Sequence, residues 1–518
     1  MDRRLLTSKT SYLEMSLSKP EFVLNKWQKN AEEEIMRDVA AIASRKRGEN
    51  TEHHLRSGSF IPGPPGTGKS FFIDYIVKRI RREYPELVIH VTASTGAAAA
   101  RLDNSMTLSS WLSLGSESMK LDKFDCIIAA LKKNCPQRLK DCDILIGDEM
   151  SMVSQRQFEN LNRACQEVRK NPIDFGGIYP IFTGDPFQLP PIPHDGGFGV
   201  GRMTIEFVPS CLERQYPGYY YITPDQLMRA ADDPVLQNVL MQLISDNSKQ
   251  REDAVKVLNE ITYQDEMSIV DALELQKENG STILCTTKEN ELSVDHYNQR
   301  AVEESEDDIE YIAIKGPVQL HDSLSLDIIS RSRGSKNLQA EEAEIKSRNT
   351  WSPDNKLILR VPYMIRANKK TSENVPVYNG MMCEILSYDN LNGTAQVYLY
   401  KIKRVVTISP HEFRSEWINE IGYSALPLIR ASAMTVHKSQ GATLDSIIFE
   451  HRRMYANETH EYVPHMLYTA FSRVKKIADI RMTDQLLPRI IQSKSVQAKL
   501  DMIWKLPYMK DYLRPKPL

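Results

Sequence analysis

The chain has 518 residues, 41% hydrophobic and 26% charged, enough to bury sizeable cores and divide into about two to four domains. Its 66 basic and 68 acidic residues leave a formal net charge of −2, so no global field draws in a polyanion and nucleic-acid binding has to come from a local groove. Without an eighteen-residue apolar run, an apolar N-terminal signal or a CxxC pair among its seven cysteines, the sequence argues against a membrane span, secretion and a zinc site, and an intracellular, soluble protein of nucleus or cytoplasm is expected.

Residues 1–22 read as an N-terminal extension. From 23 to 202, strands at Leu87–Ala93, Ile144–Asp148 and Ile178–Gly184 alternate with helical stretches, the pattern of a parallel α/β domain. Within it GPPGTGKS, residues 63–70, runs directly into the amphipathic FFIDYIVKRI, a phosphate-binding loop at a helix start. Gly63, Pro64, Pro65, Gly66, Thr67 and Gly68 form the turn, and the helix N-terminus adds a partial positive charge. Lys69 is expected to neutralise β/γ-phosphate oxygens, and the Ser70 hydroxyl to join a Mg²⁺ shell. Those residues imply bound ATP. Residues 116–141 are lysine-rich and read as a small irregular excursion.

The stretch CDILIGDEM sends an apolar strand into Asp148 and Glu149. Asp148 is expected to hold Mg²⁺ and Glu149 to polarise the attacking water. The next strand leads into PFQLPPIP, where Gln188 is placed to sense the γ-phosphate. After Phe207 the pattern restarts: PDQLMRAADDPVLQNVLMQLI has helical periodicity, TILCTT is strand-like, and the last third carries a strand at Ser446–Glu450 and a helix around Met466–Arg473. This second α/β domain is expected over 203–355 and 425–490, followed by a C-terminal tail, 491–518. Residues 302–356 are charge-rich and read as surface. From 356 to 424 the sequence alternates, with turns at YNG and LNG, as a small antiparallel barrel inserted in the second domain does.

In order and wording these motifs resemble superfamily 1 class B helicases, specifically the petite-integration-frequency family of 5′-to-3′ DNA helicases, from about Leu24 to Val474. The stretch FENLNRACQEVRKNPIDFGGIYPIFTGD is similar to the family signature, LILRVPYMIRANKK and VYNGMMCEI to its lead-in to the barrel, MTVHKSQGATLD to motif V and YTAFSRVKK to motif VI. The resemblance implies two RecA-like P-loop domains, a wedge at 116–141 in the first and an SH3-like β-barrel in the second. It implies a monomeric motor that binds single-stranded DNA and single-strand/duplex junctions. LNKWQKNA implies that Gln28 contacts the adenine edge, and VTASTGAAAARL with TLSSW places Thr95, Thr107 and Trp111 on single-stranded DNA. Trp111 beside Leu108 and Leu112 reads equally as a stacking platform and as core. Asn379, His437, Ser439 and Gln440 are implied at the DNA or in relay to the nucleotide, Gly441 beside the nucleotide, and Arg473 as the arginine finger. Arg229 takes the motif IV arginine position, with Arg214 a competing candidate. Gly147, Ser109, Ala230 and Phe471 depart from the family pattern. A translocase of RNA or DNA–RNA hybrids on the same scaffold, and an ATP-gated module that remodels protein partners, are the alternative functions.

Overall fold

The structure is a computed structural model that describes residues 23–50, 55–99, 102, 105–112, 114, 124–134, 137–189, 219–224, 227–287, 290–294, 297, 312–313, 356–357, 359, 361–365, 369–377, 381–400, 402–414, 422–452, 463–492, 494–506 and 509. Six parallel strands make the first sheet: β1 (Gly58–Pro62), β2 (Ile89–Ala93), β3 (Ser105–Thr107), β4 (Ile144–Asp148), β5 (Tyr179–Gly184) and β6 (Tyr219–Tyr221), in the order β3-β2-β4-β5-β1-β6. Every residue of β1, β4 and β5 is buried, as in a parallel sheet covered on both faces. Side chains alternate across it. Ile61, Ile144, Ile146 and Ile181 meet helices α1 (Lys26–Lys46) and α2 (Lys69–Glu83), while Phe60, Leu145 and Phe182 meet helix α3 (Gln155–Arg169) on the opposite face.

Two expectations change here. Strand β6 pairs with β1, Gly58 opposite Tyr219, so the first unit draws a strand from beyond the boundary placed at 202. The described part of the excursion is helical, Phe124–Asn134 and Gln137–Asp141. Ile127, Ala130 and Leu131 fall at helical spacing and, with Leu139, are buried in the core. Residues 115–123 and 135–136 lie outside the described residues.

The signature segment is built around Arg169 and three phenylalanines. The Arg169 guanidinium donates to the carbonyls of Leu139, Lys140, Cys142 and Gly176 at 2.7–2.9 Å. Phe158, Phe175 and Phe182 meet edge to face with centroids 5.4–5.8 Å apart, an arrangement the ring quadrupoles favour.

The second sheet has four parallel strands, β7 (Thr282–Cys285), β8 (Ala433–Thr435), β9 (Ile447–Glu450) and β10 (Ile480–Met482), in the order β8-β7-β9-β10. Helices α4 (Pro234–Leu243), α5 (Ser248–Thr262), α6 (Val463–Phe471) and α7 (Lys494–Trp504) share its core. Helix α4 does not extend back to 224: Pro234 sits at its first turn and the Asp233 side chain caps it by accepting from Leu236 N at 2.8 Å, because proline cannot continue a helix from its N-terminal side. Nor is 491–518 a tail throughout. In α7, Val496, Leu500, Ile503 and Trp504 are buried, and the indole N–H of Trp504 donates to Ile244 O at 2.8 Å.

Between β7 and β8, five antiparallel strands form a sheet ordered Arg404–Ile408, Thr394–Leu399, Met382–Asp389, Pro362–Ile365, Leu428–Arg430. Its last strand reaches past the expected end at 424. The YNG turn lies outside the described residues, as does residue 379; the LNG turn is present, with Gly393 at φ 65°. Of the charge-rich 302–356 region only 312–313 and 356 are described, in a short two-stranded pairing.

Gly147 has a steric cause. A Cβ there lies 2.8 Å from both Met150 Sδ and Phe182 Cδ1, so the space of a branched side chain is already filled. Gly147→Val is expected to destabilise the first unit by about 1–3 kcal/mol, read as a lower thermal unfolding midpoint; an unchanged midpoint contradicts the packing argument.

Candidate active site

Strand β1 delivers the chain into the glycine loop, and Gly66 and Gly68 take it through the left-handed region at φ 80° and 89°. A Cβ on Gly66 lies 2.4 Å from Arg229 Cβ, so no larger residue fits. Gly63 N donates to Gly184 O at 3.0 Å, fixing the loop to the end of β5, and Thr67 Oγ1 donates to Pro64 O at 3.0 Å. The Lys69 ammonium is buried and donates to Gly63 O and Pro64 O at 2.6 and 2.8 Å. Desolvation lowers its pKa, against the pull of Asp185, Glu149 and Asp148.

Asp148 and Glu149 emerge buried from the C-terminal end of β4. Ser70 Oγ donates to Asp148 Oδ2 at 2.9 Å, while Asp148 Oδ1 accepts from Glu149 N at 2.9 Å and from the Thr183 hydroxyl. Glu149 adopts the left-handed region at φ 53°, an unusual conformation for a residue other than glycine and one that marks functional sites. Ser70 and Asp148 offer only oxygens, the donor set of a hard divalent cation that keeps waters and phosphate oxygens in its shell.

The second sheet closes the other side. A cleft of about 360 Å³ is lined from the first unit by Gly66, Gly68, Lys69, Ser70, Phe71 and Glu149, and from the rest of the chain by Met228, Arg229, Gly441, Thr443, Arg473 and Lys475. Arg473 is fully buried, donating from Nε to Thr469 O at 2.8 Å, and from its terminal nitrogens to Ser439 O at 3.3 Å and Ser472 Oγ at 2.7 Å. The Arg229 backbone N–H donates to Gly66 O at 3.0 Å and its guanidinium to Ser472 O at 2.7 Å. Arg229 therefore bridges the glycine loop and the end of α6. Arg214 lies outside the described residues.

The segment after β5 is bonded directly to α6. Buried Asp185 accepts from Phe187 N at 3.0 Å, Gln188 Nε2 at 3.3 Å and the Tyr468 hydroxyl at 3.0 Å. Phe187 O lies 2.9 Å from His465 Nδ1, Leu189 N donates to Thr469 Oγ1 at 3.1 Å, and Gln440 Nε2 donates to Leu189 O at 3.3 Å. Sequence reasoning named Gln188 here and missed Asp185, Tyr468, His465 and Thr469. Asp185 follows an apolar strand as Asp148 does, and that parallel was the available signal.

Other candidates fall elsewhere. Trp111 is corrected to a core residue: it is fully buried, with its indole N–H donating to His90 Nδ1 at 2.8 Å. Ser439 and Gln440 are also buried: Ser439 Oγ donates to Val436 O of its own turn, and Gln440 Nε2 reaches Leu189 O in the segment after β5. Thr95 and Thr107 cap short helical turns, accepting from Ala98 N and Ser110 N at 3.1 Å. His437 is half-buried and held neutral, its pKa lowered to about 4 by burial. Gln28 belongs to the α1 capping box: its amide oxygen accepts from Asn25 N at 3.0 Å and its nitrogen donates to Gly68 O at 3.2 Å.

Desolvation lowers the His465 pKa from 6.5 to about 4. Below pH 6.5 the unfolded imidazole takes a proton that the folded one refuses. The stability this residue contributes is therefore complete above about pH 6.5 and lost as pH falls towards 4, with a limiting slope of about 1.4 kcal/mol per pH unit. His465→Asn, whose amide N–H can replace Nδ1 at Phe187 O, is expected to flatten chemical-denaturation stability over that window. An unaltered slope contradicts a neutral buried imidazole.

The family model described as PIF1-like helicase matches residues 31–204. The ATP-dependent DNA helicase PIF1 of Danio rerio is 26% identical over 84% of this chain and 59% of its own length, and that of Homo sapiens 26% over 82% and 58%. This chain thus spans somewhat under two thirds of those relatives. Over a shorter stretch, 26% of this chain and 15% of its own, the Candida albicans PIF1 is 38% identical. The fold is that of the solved Pif1 helicase from Candida albicans, with a TM-score of 0.66 at 20% identity over 94% of this chain and 99% of the other. Pif1 from Bacteroides in complex with ADP-AlF3 and ssDNA aligns with a TM-score of 0.56 at 21% identity over 94% and 98%. Over residues 31–204 the chain matches the PIF1-like helicase model, and over most of its length it is similar to proteins named ATP-dependent DNA helicase PIF1.

Proposed function

We propose that the chain is a DNA helicase that hydrolyses Mg²⁺-ATP, translocates 5′-to-3′ on single-stranded DNA and opens duplex ahead of it. The observation that carries this reading is one cleft lined by Lys69, Ser70 and Glu149 from the first sheet and by Arg473 from the second. A phosphate loop alone binds; a buried arginine arriving from a separate unit makes hydrolysis depend on how the units sit. Solved Pif1 structures from Bacteroides are described with ADP-AlF4 and with ssDNA, which supports the same ligand classes here. Another is described as two coordinating Pif1 helicases at forked dsDNA, so the expectation of a single acting copy is not carried forward.

In this mechanism the triphosphate replaces Gly63 O and Pro64 O as the partner of Lys69, repaying the desolvation of the ammonium with phosphate charge. Ser70 and Asp148 would hold Mg²⁺, which would supply positive charge against the phosphates. Glu149 orients the water. Arg473 exchanges carbonyl partners for the transferred phosphoryl oxygens. The change at the γ-phosphate passes through Asp185–Gln188 to α6, shifting the two units and the DNA motifs they carry. Residues 116–141 and the antiparallel sheet are assigned the strand-contacting and fork-splitting work.

Arg473→Lys is expected to bind ATP normally and to lose about 10³-fold or more in single-turnover hydrolysis with saturating DNA, because lysine lacks the planar fork. Lys69→Ala abolishes turnover, whereas Glu149→Gln keeps nucleotide binding. Near-parental hydrolysis by Arg473→Lys removes it from the finger role. Polarity is tested by strand displacement: 5′-tailed duplexes should open and 3′-tailed ones should not. Binding to oligo-dT is expected to weaken with salt, with a log–log slope of about −0.7 per phosphate contact, and salt-independent binding contradicts a backbone-tracking motor.

A further inference from the structure

The face of the first sheet on which Asp148 stands is otherwise largely apolar. Side chains alternate along a strand, so Asp148 follows Ile144 and Ile146 on β4, while Thr183 follows Tyr179 and Ile181 on β5, all of them buried. A buried hydroxyl costs free energy unless it finds a partner, and valine would fill the same space without one. Strand β5 lies between β1 and β4, with Ile61 opposite Thr183 on one side and Gly147 opposite Phe182 on the other. Asp148 has Ala93 across from it on β2, whose methyl group offers no donor. Thr183 is therefore the cross-strand neighbour whose side chain can serve the carboxylate.

Its hydroxyl donates to Asp148 Oδ1, the oxygen that also accepts from Glu149 N at 2.9 Å. Asp148 Oδ2 takes the hydroxyl of Ser70, the residue after the phosphate-loop lysine, at 2.9 Å. The two oxygens are thus divided: Oδ1 is anchored by protein donors, and Oδ2 is presented to Ser70. A carboxylate free to rotate about its Cβ–Cγ bond would present either oxygen. Two donors on Oδ1 fix which one it presents.

We propose that Thr183 is a positioning residue of the cation site, whose hydroxyl holds the Asp148 carboxylate so that Oδ2 and the Ser70 oxygen meet Mg²⁺-nucleotide together. This rests on the nucleotide and Mg²⁺ reading above. Groups that orient a metal-binding carboxylate without touching the metal change metal affinity by about 10- to 100-fold when removed. The test is calorimetric titration of the full chain with the non-hydrolysable ATP analogue AMP-PNP, at a series of Mg²⁺ concentrations and in EDTA. Thr183→Val and Thr183→Ala, which both remove the hydroxyl, are expected to need about tenfold or more Mg²⁺ for the half-maximal gain in AMP-PNP affinity, and to match the parent in EDTA. Thr183→Ser, which keeps the hydroxyl and loses the methyl group, should retain the parental Mg²⁺ requirement. A parental requirement in the folded Val and Ala variants overturns the proposal. So does Thr183→Ser behaving like Thr183→Val, an equal loss of affinity in EDTA, or loss of the fold in both hydroxyl-free variants, since each makes the residue a packing element. A parent that binds no AMP-PNP instead overturns the nucleotide reading itself, and a parent whose affinity ignores Mg²⁺ overturns the cation reading.

Discussion

The buried carboxylate of Asp185 ties the two parallel sheets to each other and to the phosphate loop. It lies at the end of β5, accepts the Tyr468 hydroxyl of α6 at 3.0 Å, and supplies the largest attractive field on the buried Lys69 ammonium. Burying a carboxylate is costly unless donors surround it. Here Phe187 N, Gln188 Nε2 and Tyr468 Oη meet that need, and one of the three comes from the other unit. Moving α6 away therefore strips a partner from a buried charge, and the charge that suffers is the one steadying Lys69. The placement of α6 and the charge balance at Lys69 therefore share one carboxylate.

Around this carboxylate the junction is more polar than a domain core. His465, Thr469 and Gln440 each bond a backbone group of 187–189, and the amide oxygens of Gln188 and Gln440 are buried with no hydrogen-bond partner among the described residues. An orphaned buried acceptor costs about 1–3 kcal/mol. The two faces of the first sheet are tied down by charged groups. Arg169 gathers four carbonyls beneath the first sheet. Asp38, fully buried, takes Arg56 Nε at 2.8 Å and the Tyr179 hydroxyl at 2.6 Å on the other face.

The candidate loop and acidic residues were legible because their signals are local. GPPGTGKS dictates its own turn, and its glycines are demanded by left-handed backbone and by the approach of Arg229. Two acids ending an apolar strand announce themselves in the same way. Where the reading failed, the deciding contact was distant in sequence. Trp111 looked the same as platform or core until the strand carrying His90 was beside it, and Gln440, read as a DNA contact or a relay, has its amide nitrogen on Leu189 O, 251 positions away.

By itself the amino-acid sequence determined two α/β units, an intervening antiparallel segment and the glycine loop and strand-end acids, because period-2 strands, glycine turns and strand-end acids follow from neighbouring residues alone; the arginines were implied only by the family resemblance. Only tertiary structure decided that Tyr219–Tyr221 joins the first sheet, that Lys494–Trp504 completes the second core, and that Asp185 and Tyr468 meet across 283 positions. Each is a contact between segments far apart in the chain, and such contacts depend on which buried surfaces and charges find partners once the whole chain is packed.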